Sequence, residues 1–140
     1  MMTQSTAIFW PVIAQVILIY GVYILLLRRR YEAVKSGAAR VSQFRDNKVE
    51  PDHSLFAKNN LGNQYELPVL FFAVCIALYL TGHATLYPVL LAWAFVATRV
   101  IHTIIHVGEN RVRYRMQTFV AGFLINGLLW LWLTVNIALN

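Results

Sequence analysis

Apolar residues run along this chain in four long stretches, and the polar residues collect between them. The first stretch, about 6–27, is interrupted by a single strongly polar residue, Gln15. The second is the apolar run 67–80, preceded by a polar segment, 59–66, that reads as the same helix entering from water, so the span is placed at about 61–80. The third covers about 86–107 and the fourth about 117–139. A helix needs roughly 20 apolar residues to cross a bilayer core, so the pattern predicts an all-α integral membrane bundle of four spans. The sequence Thr81-Gly82-His83-Ala84-Thr85 reads as a tight turn between spans two and three, and Pro88 suits the first turn of the helix that follows. Only the loop 31–60 is long and polar, with breaks expected at Ser36-Gly37 and Glu50-Pro51.

Composition agrees with a single small membrane domain, 1–140. Of 140 residues, 59% are hydrophobic and 13% charged, with a mean hydropathy of +0.56. Charge placement then predicts orientation. Arg28, Arg29, Arg30, Lys35, Arg40, Arg45, Lys48 and Lys58 lie between spans one and two, and Arg111, Arg113 and Arg115 between three and four; Arg99 is the one remaining basic residue. Because positive loops stay cytoplasmic, both basic loops are expected inside and both termini outside. Basic residues that flank spans point to anionic lipid and exclude nucleic acid as a partner. Span one lacks a basic leader segment and is too long for a signal peptide, so it is expected to remain in the mature protein. Cys75, the sole cysteine, falls inside span two and reads as a packing residue.

Polar residues inside the spans carry the chemistry. Arg99, His102 and His106 fall within about 60° of one another on span three, forming one polar stripe. A guanidinium at bilayer depth costs at least about 2.5 kcal/mol and calls for a partner; Glu66, at the mouth of span two, is the expected one. Asn59, Asn63 and Glu66 share a helix face at spacings of four and three. On span four, Arg115, Phe119, Gly122 and Asn126 do the same, and Gly122 permits a close helix approach, including one between subunits. The two histidines have the spacing of a metal pair, yet no HExxH motif, second cysteine or adjacent carboxylate accompanies them, so no metal site is expected. A proton relay through Glu66, Arg99 and His102 is chemically open, although four spans without an internal inverted repeat fit a transporter less well.

Asn63-Gln64-Tyr65-Glu66-Leu67-Pro68-Val69-Leu70-Phe71 on span two, Arg99-Val100-Ile101-His102-Thr103-Ile104-Ile105-His106 on span three, and the segment from Arg111 to Phe119 together resemble the MAPEG family, the membrane-associated proteins in eicosanoid and glutathione metabolism. The resemblance is to a bacterial-type member and covers nearly the whole chain. It implies a homotrimer, in a bacterial inner membrane, with glutathione as co-substrate held between neighbouring subunits. By position it implies glutathione contacts at Arg28, Asn63, Glu66, His102 and His106, and a catalytic arginine beside the thiol at Arg115. The activity implied is a glutathione-dependent transfer or peroxidase reaction on hydrophobic small molecules. The alternative within the same fold is a non-catalytic lipid-binding or scaffold protein. Where the mammalian enzymes carry two arginines before the asparagine, this chain has Asn59 and Gly62, and His106 replaces a tyrosine; the cleft is correspondingly less basic.

Overall fold

The structure is a computed structural model that describes residues 5–45 and 49–139; Lys48, among the basic residues expected in the first loop, lies outside them. It is all-helical, with no strand among the described residues. Five α-helices follow in order: α1 (Phe9–Lys35), α2 (Asp52–Asn63), α3 (Leu67–Leu80), α4 (Leu86–Val107) and α5 (Val112–Ala138). Short 3-10 turns precede α1 at Thr6–Ile8 and occupy the first loop at Val41–Phe44. With α2 and α3 taken as one crossing, four helices are long and apolar enough to span a membrane. The chain is an integral membrane protein.

Three boundaries differ from the sequence reading, each for a physical reason. α1 continues past the expected end at 27 to Lys35, because Arg28 to Lys35 are good helix formers outside the bilayer and Arg29 and Arg30 find partners there. α5 begins at Val112, five residues before 117, so Arg113 and Arg115 ride on its first turns instead of lying in a loop. Span two is not one helix. Pro68 has no N–H to give the Gln64 carbonyl and its ring crowds that group, and the chain breaks at 64–66, between α2 and α3. The break leaves Glu66 exposed and off the face that Asn59 and Asn63 occupy.

Buried positions on α1 are Pro11, Gln15, Ile19, Val22, Leu26 and Ala33, a helical stripe. The outward residues Ile13, Ile17, Ile24 and Leu27 are apolar and exposed, as expected where lipid is the solvent. α4 packs along α5 and also touches α1 and α2. Phe71 of α3 stacks on Phe95 of α4 with centroids 4.3 Å apart, at the centre of an apolar cluster that includes Val74, Cys75, Leu78, Ala92, Leu129 and Leu133. Gly122 is the close approach within the protomer: a Cβ there would stand 2.9 Å from Thr98 Oγ1. Its role is thus α4–α5 packing inside one subunit.

The turn after α3 uses Gly82 at φ 76, with Gly82 N–H donating to the Tyr79 carbonyl and His83 N–H to that of Leu78. This left-handed glycine ends the helix cheaply. At the other end of the bundle, Glu50 carries a buried carboxylate that accepts Arg30 Nε and Nη2 at 2.8 and 2.7 Å and the Ser54 hydroxyl at 2.6 Å. The Arg30 guanidinium also lies over the Phe44 ring, 5.1 Å from its centroid. This junction ties the first loop to α1.

Candidate functional site

A cleft of about 400 Å³ opens where α2, α4 and the start of α5 meet, lined by Asn59, Asn63, His102, His106, Val112, Arg115, Met116 and Phe119. Each helix contributes residues one turn apart. Asn59 and Asn63 come from the last turns of α2, His102 and His106 from the C-terminal turns of α4, and Arg115 and Phe119 from the first turns of α5. Four of the six residues that the sequence points to, Asn63, His102, His106 and Arg115, therefore share one cavity. Arg28 and Glu66 do not line it; both are exposed on the outside of the protomer.

Arg115 is the cation of the cleft. Its Nη1 donates to Asn110 Oδ1 at 2.7 Å, and among the described residues no carboxylate pairs with it. Asn110 sits at φ 50, a left-handed conformation that asparagine tolerates, and its N–H caps the end of α4 at the Ile105 carbonyl. The loop thereby aims an amide oxygen at the guanidinium while leaving its charge uncompensated. The positive end of the α5 dipole lies at the same place, so both favour an anion in the cleft.

His102 and His106 lie with ring centroids 5.6 Å apart, edge to face. His102 Nδ1 is 3.2 Å from the Arg115 carbonyl oxygen and 3.2 Å from Thr118 Oγ1. A carbonyl can only accept, so Nδ1 carries the hydrogen and Nε2 holds a lone pair; Nε2 is buried and has no partner. His106 Nδ1 faces the amide nitrogens of Asn63 and Asn60, at 3.3 and 3.4 Å.

Arg99 is fully buried, as the polar stripe on span three requires, but its partner differs from expectation. Nη2 donates to the Asn63 carbonyl at 3.2 Å, whereas Nε and Nη1 have no hydrogen-bond partner. No ion pair with Glu66 forms, because the break before Pro68 turns that carboxylate outward. Instead Arg99 clamps the last residue of α2, whose carbonyl has lost its helical continuation. Asn126 is likewise buried, with an unpartnered Oδ1.

Sequence reasoning missed Asn60, Gln64, Thr103 and Asn110. The first three form buried hydrogen bonds behind His106, and the isolated Gln15 in an otherwise apolar span was the one signal of such a network. Of the Arg28-Arg29-Arg30 triplet, Arg29 donates through Nη2 to the Val107 carbonyl at 3.0 Å, a cation at the C-terminal end of α4 where the dipole favours it. Arg30 holds Glu50. Arg28 makes no hydrogen bond or ion pair among the described residues.

No match to the chain was found among curated proteins or among solved structures. A family comparison does match, over residues 7–135, which covers nearly all of the four spans and every residue of the cleft. Four membrane-crossing helices and a polar cleft at one end of α4 thus belong to a member of the MAPEG family.

Proposed function

We propose that the chain is a membrane-bound, glutathione-dependent transferase or peroxidase acting on hydrophobic electrophiles. The observation that carries this reading is the uncompensated guanidinium of Arg115 in a cleft shared with Asn63, His102 and His106. A cysteine thiol titrates near 8.5, and about 2 kcal/mol of preferential attraction for its anion would bring it to about 7. Arg115 is placed to supply that attraction. In transfer chemistry the thiol proton leaves to solvent and the thiolate forms a carbon–sulfur bond; in a substitution the displaced pair departs with the leaving group, and in an addition the electrophile's π pair moves onto its activating group, which takes up a proton. Val112, Met116 and Phe119 give the cleft an apolar wall, suited to a co-substrate arriving from the bilayer.

The reading includes a homotrimer. Arg28 and Glu66 are charged and exposed on the outside of the protomer, and neither has a salt-bridge partner among the described residues; a neighbouring subunit would cover them and bring them to its own cleft. Calorimetric titration of the protein in lipid nanodiscs with glutathione, followed by the ultraviolet absorbance of the thiolate at neutral pH, tests the function. Saturable binding with thiolate formation is expected. Neither signal at millimolar thiol would overturn it and leave the lipid-binding alternative, which the single cation and the apolar wall of the cleft favour.

A further inference from the structure

Behind His106 runs a chain of hydrogen bonds that all donate in the same direction. Gln15 Nε2, on α1, donates to Gln64 Oε1 at 2.8 Å. Gln64 Nε2 donates to Asn60 Oδ1 at 3.3 Å and to Thr103 Oγ1 at 3.1 Å. The Thr103 hydroxyl donates to the same Asn60 oxygen at 3.3 Å, and Asn60 Nδ2 ends the chain at His106 Nδ1. Gln15, Gln64, Asn60, Thr103 and His106 are all buried, and Gln15 Oε1 has no hydrogen-bond partner; a reversed chain would give that oxygen a partner but leave both Gln15 amide N–H groups buried without one. Turning the Asn60 amide over would set its nitrogen against two donors, Gln64 Nε2 and the Thr103 hydroxyl. The polarity of the chain is therefore coupled from α1 to α4.

From this geometry we infer that Gln15 and Gln64, which do not line the cleft, are positioning residues that fix the tautomer of His106. With two amide N–H groups directed at Nδ1, from Asn60 and Asn63, that nitrogen must hold the lone pair, and the hydrogen sits on Nε2. His102 is held in the opposite tautomer by the Arg115 carbonyl. The two rings on successive turns of α4 thus differ in kind: His106 offers an N–H and His102 a bare nitrogen. A ligand oxygen or sulfur that accepts a hydrogen bond, such as a carboxylate, amide carbonyl or thiolate, is matched to His106, and a ligand donor to His102. The tautomer assignment stands independently of the glutathione reading; only the identity of the ligand rests on it.

Long-range proton–nitrogen correlation spectra of histidine-labelled protein in nanodiscs, without thiol, read the tautomer directly, with the His106 signals assigned by their loss in His106→Gln. Wild type should show His106 protonated at Nε2 alone and His102 at Nδ1 alone. Gln64→Met and Gln15→Met should each give a mixture of His106 tautomers while leaving the His102 signals in place. Gln15→Glu should reverse the chain, because a carboxylate accepts from Gln64 and turns each amide over, raising the Nδ1-protonated form. Where glutathione binds, Gln15→Met should weaken it by about five- to tenfold, the worth of one hydrogen bond. His106 protonated at Nδ1 in wild type overturns the inference without any variant having to fold, as does an unchanged His106 spectrum in folded Gln64→Met. Correct tautomers in a protein that binds no glutathione would uphold it and refute only the proposed function.

Discussion

Arg115 differs from the basic residues around it in what holds it. Arg29 is bound to a helix terminus, Arg30 to Glu50 and Arg111 to Glu109, whereas Arg115 meets only a neutral amide. Its replacement should therefore act on ligand chemistry and not on folding. Arg115→Ala is expected to lower glutathione-dependent turnover by about 100-fold or more and to remove the thiolate absorbance, with the melting temperature little changed. Arg115→Lys should recover part of both, because a point charge favours the anion without the planar fork. Loss of activity of the same size in Arg113→Ala would point to loop charge as a whole. Arg99 shows where residue-level reading failed: its spacing from the histidines was legible as a buried stripe, but its partner was not, because Glu66 is taken away by a backbone break that charge matching does not reveal. Within this geometry Glu66 acts on Arg99 only through space, without a salt bridge, so Glu66→Gln and Arg99→Gln should show a coupling of no more than about 1 kcal/mol in thermal unfolding. A coupling of several kcal/mol, of the kind a stranded buried charge produces, would show that the two meet in the assembled protein.

Helix lengths followed from apolar runs where the bilayer sets them, as on α4, whose bounds match the reading at 86–107. They did not follow where helix continues into water, at the ends of α1 and the start of α5, since hydropathy falls there while helical hydrogen bonding does not. Pro68 was visible in the sequence, but the break it causes depends on Arg99 and Asn60 taking up the freed groups of α2, contacts no local pattern contains. The joint between α1 and α2 has a pH signature. Burial pushes the Glu50 carboxyl up, but hydrogen bonds from Arg30 and Ser54, with the charges of Arg30 and Lys58, outweigh it and hold the group below its ordinary value of 4.5. A carboxyl whose value is depressed on folding adds stability that is complete above its unfolded value and is lost as pH falls through the folded one. Glu50→Gln should accordingly melt below wild type at neutral pH, and the gap should narrow as pH drops below about 4.5. A gap that stays constant across thermal melts down that range would mean that the charge contributes nothing.

At the scale of the molecule, a bundle with apolar outside faces and polar residues inside was legible from composition and span count. What was not legible was that four of the site residues meet within one protomer while Arg28 and Glu66 face away, a division that depends on the angle between α2 and α4. Charge asymmetry sets the orientation we propose, with both termini and the Gly82 turn outside. In a Cys75→Ala background, cysteines at Ser42 and Thr85 should react with an impermeant reagent from opposite sides of the membrane. Equal labelling from outside would refute the orientation, and native mass spectrometry that finds only monomers in several mild detergents would refute the trimer. The α1 helix, 27 residues long and so about 40 Å, overshoots the roughly 30 Å bilayer core; its overhang is bonded to later parts of the chain by Arg29 and Arg30, and its spanning part by Gln15. Covalent continuity through the first loop is then redundant once the subunit has assembled. A chain divided after Arg45 should reconstitute by complementation: the two pieces, coexpressed, are expected to copurify through a tag on one of them. Cutting the same link in a variant that also carries Arg30→Met and Gln15→Met should release the first helix into the bilayer as a free fragment.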